Sequence, residues 1–304
     1  MIRLRLGTRR SALALAQSGM MARALEAAHP GLEVELVPMV TQGDVVTGDL
    51  ARFGGKGLFT QELESGLLDG SLDLAVHSLK DLPVTLTGGL VVAAHPERVD
   101  PRDVLVSEEA EDLDGLPEGA VVLTGALRRR AQILMRRPDL RVEPIRGNVD
   151  TRLRKWREMG AGGVILAGAG LQRLAIRDVP IHPIPPEVLL PAPGQGTLAL
   201  ETRAEGAAAT LCHALNHADS ARAAQAERRV VAAFGGDCTL PLAAWARPDG
   251  RDGQIHLTAL LATPDGRHAA RGEAVAATPK EVAGACIAAL REDGADEVLA
   301  RLRE

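Results

Sequence analysis

The sequence predicts two α/β units followed by a small α+β unit, on three observations. Strand-like apolar runs alternate with helical stretches twice, over the first third of the chain and again from about residue 100, the pattern of mostly parallel sheets covered by helices. A Pro-rich passage, VPIHPIPPEVLLPAPGQG (179–196), then leads back into an apolar strand. Beyond residue 217 a helix precedes three short runs separated by RPDGRDG (247–253) and TPDGR (263–267), strong turn signals that suit an antiparallel sheet.

Taken in order, IRLRL (2–6) alternates as a strand. TRRS then opens a helix with apolar residues at Leu13, Ala16, Met20 and Ala24. HPG (29–31) ends that helix and LEVELV (32–37) is the next strand. TQGDVVTGDLARFGGKG (41–57) is a polar, Gly-rich loop of a length usually kept for function. Helix LFTQELESGLLDG (58–70) and strand DLAVH (73–77) complete the first unit. The second starts with AVVLT (120–124), an Arg-rich helix and strand LRVEPI (140–145). Helix NVDTRLRKWREM (148–159), strand GVILA (163–167) and a short helix through Leu174 follow. TLALE (197–201) is the returning strand, 219–233 a helix, and KEVAGACIAALRE (280–292) the closing helix.

Composition narrows the function. The chain carries 35 Lys and Arg against 40 Asp and Glu, a formal net charge of −5, with two Trp, three Phe and no Tyr. Single-strand nucleic-acid surfaces interleave cations with stacking aromatics, so neither charge nor composition suits a DNA or RNA binder. Three cysteines, Cys212, Cys238 and Cys286, form no CxxC pair, which fits a reducing cytoplasm better than a disulfide framework or zinc site. No apolar run approaches a membrane span. TRRSALALA superficially resembles a twin-arginine export signal, but Gln17 and Arg23 interrupt its apolar stretch. A cytoplasmic monomer that binds no metal, membrane or nucleic acid is expected.

Against that acidic total, residues 124–155 hold ten Arg or Lys and three Asp or Glu. A solvated helix face accounts for Arg130, Arg136, Arg137 and Arg154. Four places put polar or basic residues where a strand gives way to a helix: Thr8–Ser11, His77–Asp81, Thr124–Arg130 and Arg146–Arg152. Ligands of open parallel sheets bind beyond the carboxyl ends of the strands, where helix N-termini favour anions. Arg128, Arg129, Arg146 and Arg152 there suit bidentate recognition of a small molecule with several carboxylates or phosphates. GGKG lacks the Ser or Thr that a phosphate loop requires. Asp81 is an acid among cations, suited to a developing positive charge or a proton shuttle, or else to capping the turn before Pro83. Lys80 is a further anion contact, and His77 reads as a packed strand-end histidine. Cys212 and Cys286 read as small core residues, whereas Cys238, beside Gly235-Gly236, is the candidate nucleophile or attachment point. His213 and His217 share a helix face but lack a third metal ligand.

These residues stand in segments that resemble the hydroxymethylbilane synthase (porphobilinogen deaminase) family over essentially the whole chain. The segments include GTRRSALALAQ (7–17), VELVPMVTQGD (34–44), GGKGLFTQELE (54–64), LAVHSLKDLP (74–83) and DPRDVLVS (100–107). LRRRAQILMRRPDL (127–140), IRGNVDTRLRK (145–155), AGAGLQRL (167–174), LPAPGQG (190–196), LNHADSARAAQAERRVV (215–231) and GGDCTLP (235–241) continue in the family's order. The resemblance implies two domains like type II periplasmic binding proteins, 1–97 with 197–216 and 98–196, and a third over 217–304. It also implies that four porphobilinogen molecules are deaminated and joined head to tail on a dipyrromethane cofactor held by Cys238 in thioether linkage, then released by hydrolysis as a linear tetrapyrrole.

On the same resemblance Asp81 is the catalytic carboxylate beside the pyrrole nitrogens, where it would stabilise charge as ammonia leaves. Lys80, Asp81, Ser78, Thr124, Arg128, Arg129, Arg146 and Gly147 would hold the cofactor, and Arg9, Ser11, Arg146, Arg152, Arg173 and Gln195 the porphobilinogen and growing oligopyrrole. The Gly-rich loop around Lys56 and Phe59 would be a lid. Two departures stand out. Gly125 and Ala126 replace two serines common in the family, and Asp237 stands between the Gly pair and Cys238. A non-catalytic two-lobed carboxylate-binding protein would need the same arginines but neither Asp81 nor Cys238.

Overall fold

Eight alternating residues, Ile2–Arg9, form the first strand (β1) of a computed structural model that describes residues 2–41, 60–235, 240–250 and 253–303. Ser11 then starts helix α1 (Ala12–Ala28) by accepting the Ala14 N–H in its side chain, the usual means of satisfying an orphan donor at a helix start. The helix lays Met21, Ala22 and Leu25 against Leu4 and Leu6, and the chain returns as β2 (Leu32–Met39), parallel to β1. Helix α2 (Gln61–Leu68) and strands β3 (Leu74–Ser78) and β4 (Leu90–Ala94) follow. Leu63 and Leu67 of α2 are fully buried against Leu72 and Ala75, each such side chain contributing roughly 1.5–3 kcal/mol by burial.

The second unit repeats this plan. Its strands are β5 (Asp103–Val106), β6 (Val121–Leu123), β7 (Arg141–Glu143), β8 (Gly163–Ala167) and β9 (Ile181–Pro183). The helices between them are α3 (Leu127–Arg136), α4 (Val149–Met159) and α5 (Gly168–Arg173). The returning strand β10 (Leu198–Arg203) belongs to the first sheet, whose order is β2-β1-β3-β10-β4; the second runs β7-β6-β8-β5-β9. In each, three parallel strands meet one antiparallel strand: β10 beside β3, and β5 beside β8. Both sheets are therefore mixed and mostly parallel, as expected.

Helix α6 (Ala207–Cys212) and the long α7 (Ala218–Ala233) lead to the antiparallel meander β11 (Leu242–Pro248), β12 (Ile255–Ala262) and β13 (Ala269–Ala276). Helix α8 (Pro279–Glu292) starts with a reciprocal cap between Thr278 and Glu281, and α9 (Ala295–Arg301) follows. Val230, Leu257, Leu261, Val282 and Leu290 form the core between this sheet and its helices.

Several expectations need correction. Strand β1 continues through Thr8 and Arg9, so these residues are its last two and do not follow it. Strands β4, β5 and β9 were not legible as strands, being short and flanked by Pro or Gly. Arg137 is not simply solvated: it donates to the carbonyls of Leu113, Asp114 and Leu116, and Arg130 donates to Val142 O. Arg136 and Arg154 do make exposed pairs, with Asp114 and Glu158.

The chain passes between the sheets twice, and one carboxylate gathers both passages. Arg98 donates to Glu227 Oε1 of α7 at 2.6 Å and to the Gln195 carbonyl at 2.7 Å. Glu227 is fully buried and also accepts the Gly194 and Ala246 N–H groups. Arg98→Met would strand that carboxylate with two neutral donors. The expected loss is about 3–5 kcal/mol, the usual effect of breaking a buried pair, read as a shift in the urea midpoint.

Candidate functional site

The carboxyl ends of β1 and β3 frame a small cleft lined by Arg9, Ser11, Gln17, Thr60, Ser78 and Asp81. Ser18 donates to Thr8 at 2.8 Å and Gln17 to Ser78 at 3.0 Å, so α1 and the two strand ends are locked together. Beyond β3 a single 3-10 turn, Leu79–Asp81, buries Leu79 and leaves the Asp81 side chain exposed at the rim. Lys80 turns the other way. Its half-buried ammonium lies 3.5 Å from Gln195 Oε1, and its pKa is pushed down to about 8. Burial is the main cause; the Arg128 and Arg129 charges add to it, while Asp81 and Asp103 oppose it.

Across from that turn, α3 begins one residue after Ala126 and turns Arg128 and Arg129 inward, each 5% exposed. Both reach the fully buried Asp103. Arg128 donates to Oδ2 at 2.7 Å, Arg129 to Oδ1 at 3.1 and 2.8 Å, and Gln195 to Oδ1 at 2.8 Å. Further donors go to the carbonyls of Leu190 and Ile165. Burial alone would raise the Asp103 carboxyl, but the two guanidiniums outweigh it and bring it to about 2. Two cations thus share one anion, and with Lys80 the cluster keeps a positive excess.

Asp103 was missed because it opens an antiparallel strand: its pairing with Ala167 brings the start of β5 beside the carboxyl end of β8. The acid in DPRDVLVS was the available signal, and only the strand direction gives it meaning.

At the start of α4, Gly147 has φ +120, and a Cβ there would lie 2.7 Å from the Thr151 side chain. Its carbonyl accepts from Arg152 Nε at 2.7 Å. Burial lowers the Arg152 pKa, the Arg129 charge lowers it further, and Asp81 opposes both. Arg146 is exposed at the same end of α4. Arg173, at the end of α5, donates to Gly196 O at 2.7 Å. Its buried Nε has no partner among the described residues, and burial lowers its pKa to about 10.

Thr124 is buried and accepts the Ala126 N–H at 3.3 Å, part of the work that the absent serines would share. Gly125 has a positive reason to be glycine: a Cβ would come within 2.6 Å of the Ile145 carbonyl.

Elsewhere, His77 Nε2 lies 2.9 Å from Glu201 Oε2 and both are buried, as a packed strand-end histidine should be. His217 caps α7 by accepting the Ser220 N–H. No group of three metal-ligating side chains occurs among the described residues. Cys212 and Cys286 are buried and their thiols pushed up to about 12 by that burial, which suits core residues. Cys238, Lys56 and Phe59 lie outside the described residues.

The class so defined is an α/β protein with two mixed sheets and a C-terminal antiparallel sheet, with cationic side chains gathered around the buried Asp103. Sequence comparison narrows the class, and the chain belongs to the porphobilinogen deaminase family. A family model described as porphobilinogen deaminase, dipyromethane cofactor binding domain, matches residues 4–210, and one described as porphobilinogen deaminase, C-terminal domain, matches 221–293. The chain is 44% identical to a porphobilinogen deaminase of Syntrophomonas wolfei over 99% of both chains. It is 43% identical to one of Brevibacillus brevis over 99% of this chain and 98% of that one. Among solved structures, the methionine-binding protein MetQ is 12% identical, with a TM-score of 0.44 over 70% of this chain and 89% of its own.

Gly125→Ser would restore one of the absent hydroxyls. We expect it to destabilise the protein by about 1–3 kcal/mol, because the facing atom is backbone and cannot swing aside; thermal unfolding measures this. The Lys80 cation is present below pH 8 and lost as pH rises through it. Calorimetric affinity for a polycarboxylate such as citrate should therefore fall above that pH, and Lys80→Met should remove this step in the profile.

Proposed function

We propose that this chain is a hydroxymethylbilane synthase, a transferase of tetrapyrrole (haem) biosynthesis. It deaminates four porphobilinogen molecules, joins them head to tail on a Cys238-linked dipyrromethane, and releases the linear tetrapyrrole by hydrolysis. The observation that carries the reading is the exposed Asp81 carboxylate in one cleft with Arg9, Ser11 and Ser78, next in the chain to Lys80. We assign residues 1–97 and 197–216 to a first domain, 98–196 to a second and 217–304 to a third. The working form is a cytoplasmic monomer that binds porphobilinogen and the growing oligopyrrole, and neither nucleic acid nor membrane. No helix among the described residues is long and apolar enough to cross a membrane.

The donor set fits a chain of pyrrole carboxylates. Each pyrrole brings two acids, and guanidiniums match them with paired N–H groups. The unsatisfied buried Nε of Arg173 supports the same fit. Lys80, Ser78, Thr124, Arg128, Arg129, Arg146 and Gly147 would hold the dipyrromethane, whose free terminal pyrrole carbon would accept the first unit, each later unit joining the one before it. Arg9, Ser11, Arg146, Arg152, Arg173 and Gln195 would bind the incoming unit's acids. Asp81 accepts from pyrrole N–H and stabilises positive charge there as ammonia leaves. Its position is set before reaction, so little reorganisation is needed when that charge develops.

Intact-protein mass tests the reading. The purified chain should carry an adduct of two pyrrole units, lost in Cys238→Ser. Asp81→Ala should keep the adduct and lose at least about a hundredfold in kcat, the scale of a removed charge-stabilising group. An unmodified wild-type chain from a haem-making host would favour a carboxylate-binding protein, and normal turnover in Asp81→Ala would remove that residue from the mechanism.

A further inference from the structure

We propose that Arg228 is a positioning residue for the reaction proposed above: it fixes the turn carrying Asp81 against the helix that runs toward Cys238. Arg228 projects from α7, ten positions before Cys238 in the sequence. Its guanidinium donates to three consecutive carbonyls, Leu82 O at 3.1 Å, Pro83 O at 2.7 Å and Val84 O at 2.9 Å. These residues directly follow Asp81 and lie in no strand or helix. None of the three carbonyls accepts a backbone N–H from a described residue. Pro83 has no N–H with which to join a ladder. The segment is therefore held at its start by Leu79 N–H to Thr197 O and beyond Asp81 by Arg228.

The surroundings keep the guanidinium in place. Leu79 and Leu82 pack with Ala199 and with Ala224, one helical turn before Arg228 on α7. The Glu201 carboxylate lies behind, felt by Arg228 as an opposing charge. One Glu201 oxygen is held by His77, and the other is buried with no partner among the described residues. A planar fork spanning three carbonyls has a directionality that an ammonium lacks. An arm of this kind sets where the Asp81 carboxylate stands relative to α7 and the first sheet. A displacement of about an ångström at a reacting group commonly costs on the order of a hundredfold in rate.

Arg228 could instead serve only to fasten the C-terminal unit to the first sheet, and the test separates the two roles. Arg228→Met removes the three donors while keeping much of the bulk. Arg222, on the same helix, donates to Gly253 O and Ala277 O well away from Asp81, and Arg222→Met is the control. Arg228→Met is expected to retain the two-pyrrole adduct and a KM within about threefold of wild type, but to lose roughly ten- to a hundredfold in kcat. In the same variant the Leu82 amide, which donates to Leu79 O, should exchange at least about tenfold faster, with amides of α4 unchanged. Arg228→Lys should recover only part of kcat, and Arg222→Met should turn over as wild type does. A kcat within twofold of wild type in Arg228→Met, an equal fall in Arg222→Met, or unchanged Leu82 exchange would each overturn the proposal while the adduct persists. A wild-type chain without adduct would overturn the underlying reading and this proposal with it.

Discussion

Glu227 is the point on which the arrangement of the three sheets depends. A carboxylate withdrawn wholly from water is tolerable only if its charge and lone pairs are matched, and here the partners come from three places. Arg98 belongs to the outgoing passage between the sheets, Gly194 to the returning one and Ala246 to the C-terminal meander. Satisfying one buried ion thereby brings together segments distant in the chain. Because an incomplete set would leave charge in a medium of low dielectric, the junction favours one arrangement over its neighbours.

The same physics shapes the cleft. Asp103 is a second desolvated carboxylate, but it is shared by Arg128 and Arg129 and so leaves positive charge uncompensated. Lys80 and Arg152 are shifted toward losing their protons, mainly by burial, with neighbouring guanidinium charge adding to it. Like charges held together in a partly buried space are costly, and the polycarboxylate proposed above would relieve that cost. Asp103 fixes how the two guanidiniums point through hydrogen bonds between rigid elements. Asp81 stands exposed directly beside Lys80 in the turn that follows β3.

Much of the local structure was readable from pattern. The strand-helix alternation of residues 2–39 and 120–167 reflects periodicities set by backbone geometry, and the turns at 247–253 and 263–267 come from residues whose conformations are restricted. Strands β4, β5 and β9 escaped because they lie beside Pro or Gly and owe their pairing to neighbours remote in sequence. Arg137 and Arg130 looked like surface charge for a related reason. Nothing in a helical stretch reveals that carbonyls of another segment will lie beneath it.

For the site, the sequence by itself determined the inventory: clustered arginines, an acid in the turn after DLAVHS, a cysteine beside a Gly pair, and few aromatics. Residue chemistry and short spacing suffice for that, since both are local. Tertiary structure alone decided which of those groups meet. It brought Asp103 under Arg128 and Arg129 by running β5 antiparallel and set Arg228 against the carbonyls of residues 82–84. These are relations between segments tens of residues apart, fixed by strand direction and by the need to satisfy buried charge, neither of which any single stretch of sequence contains.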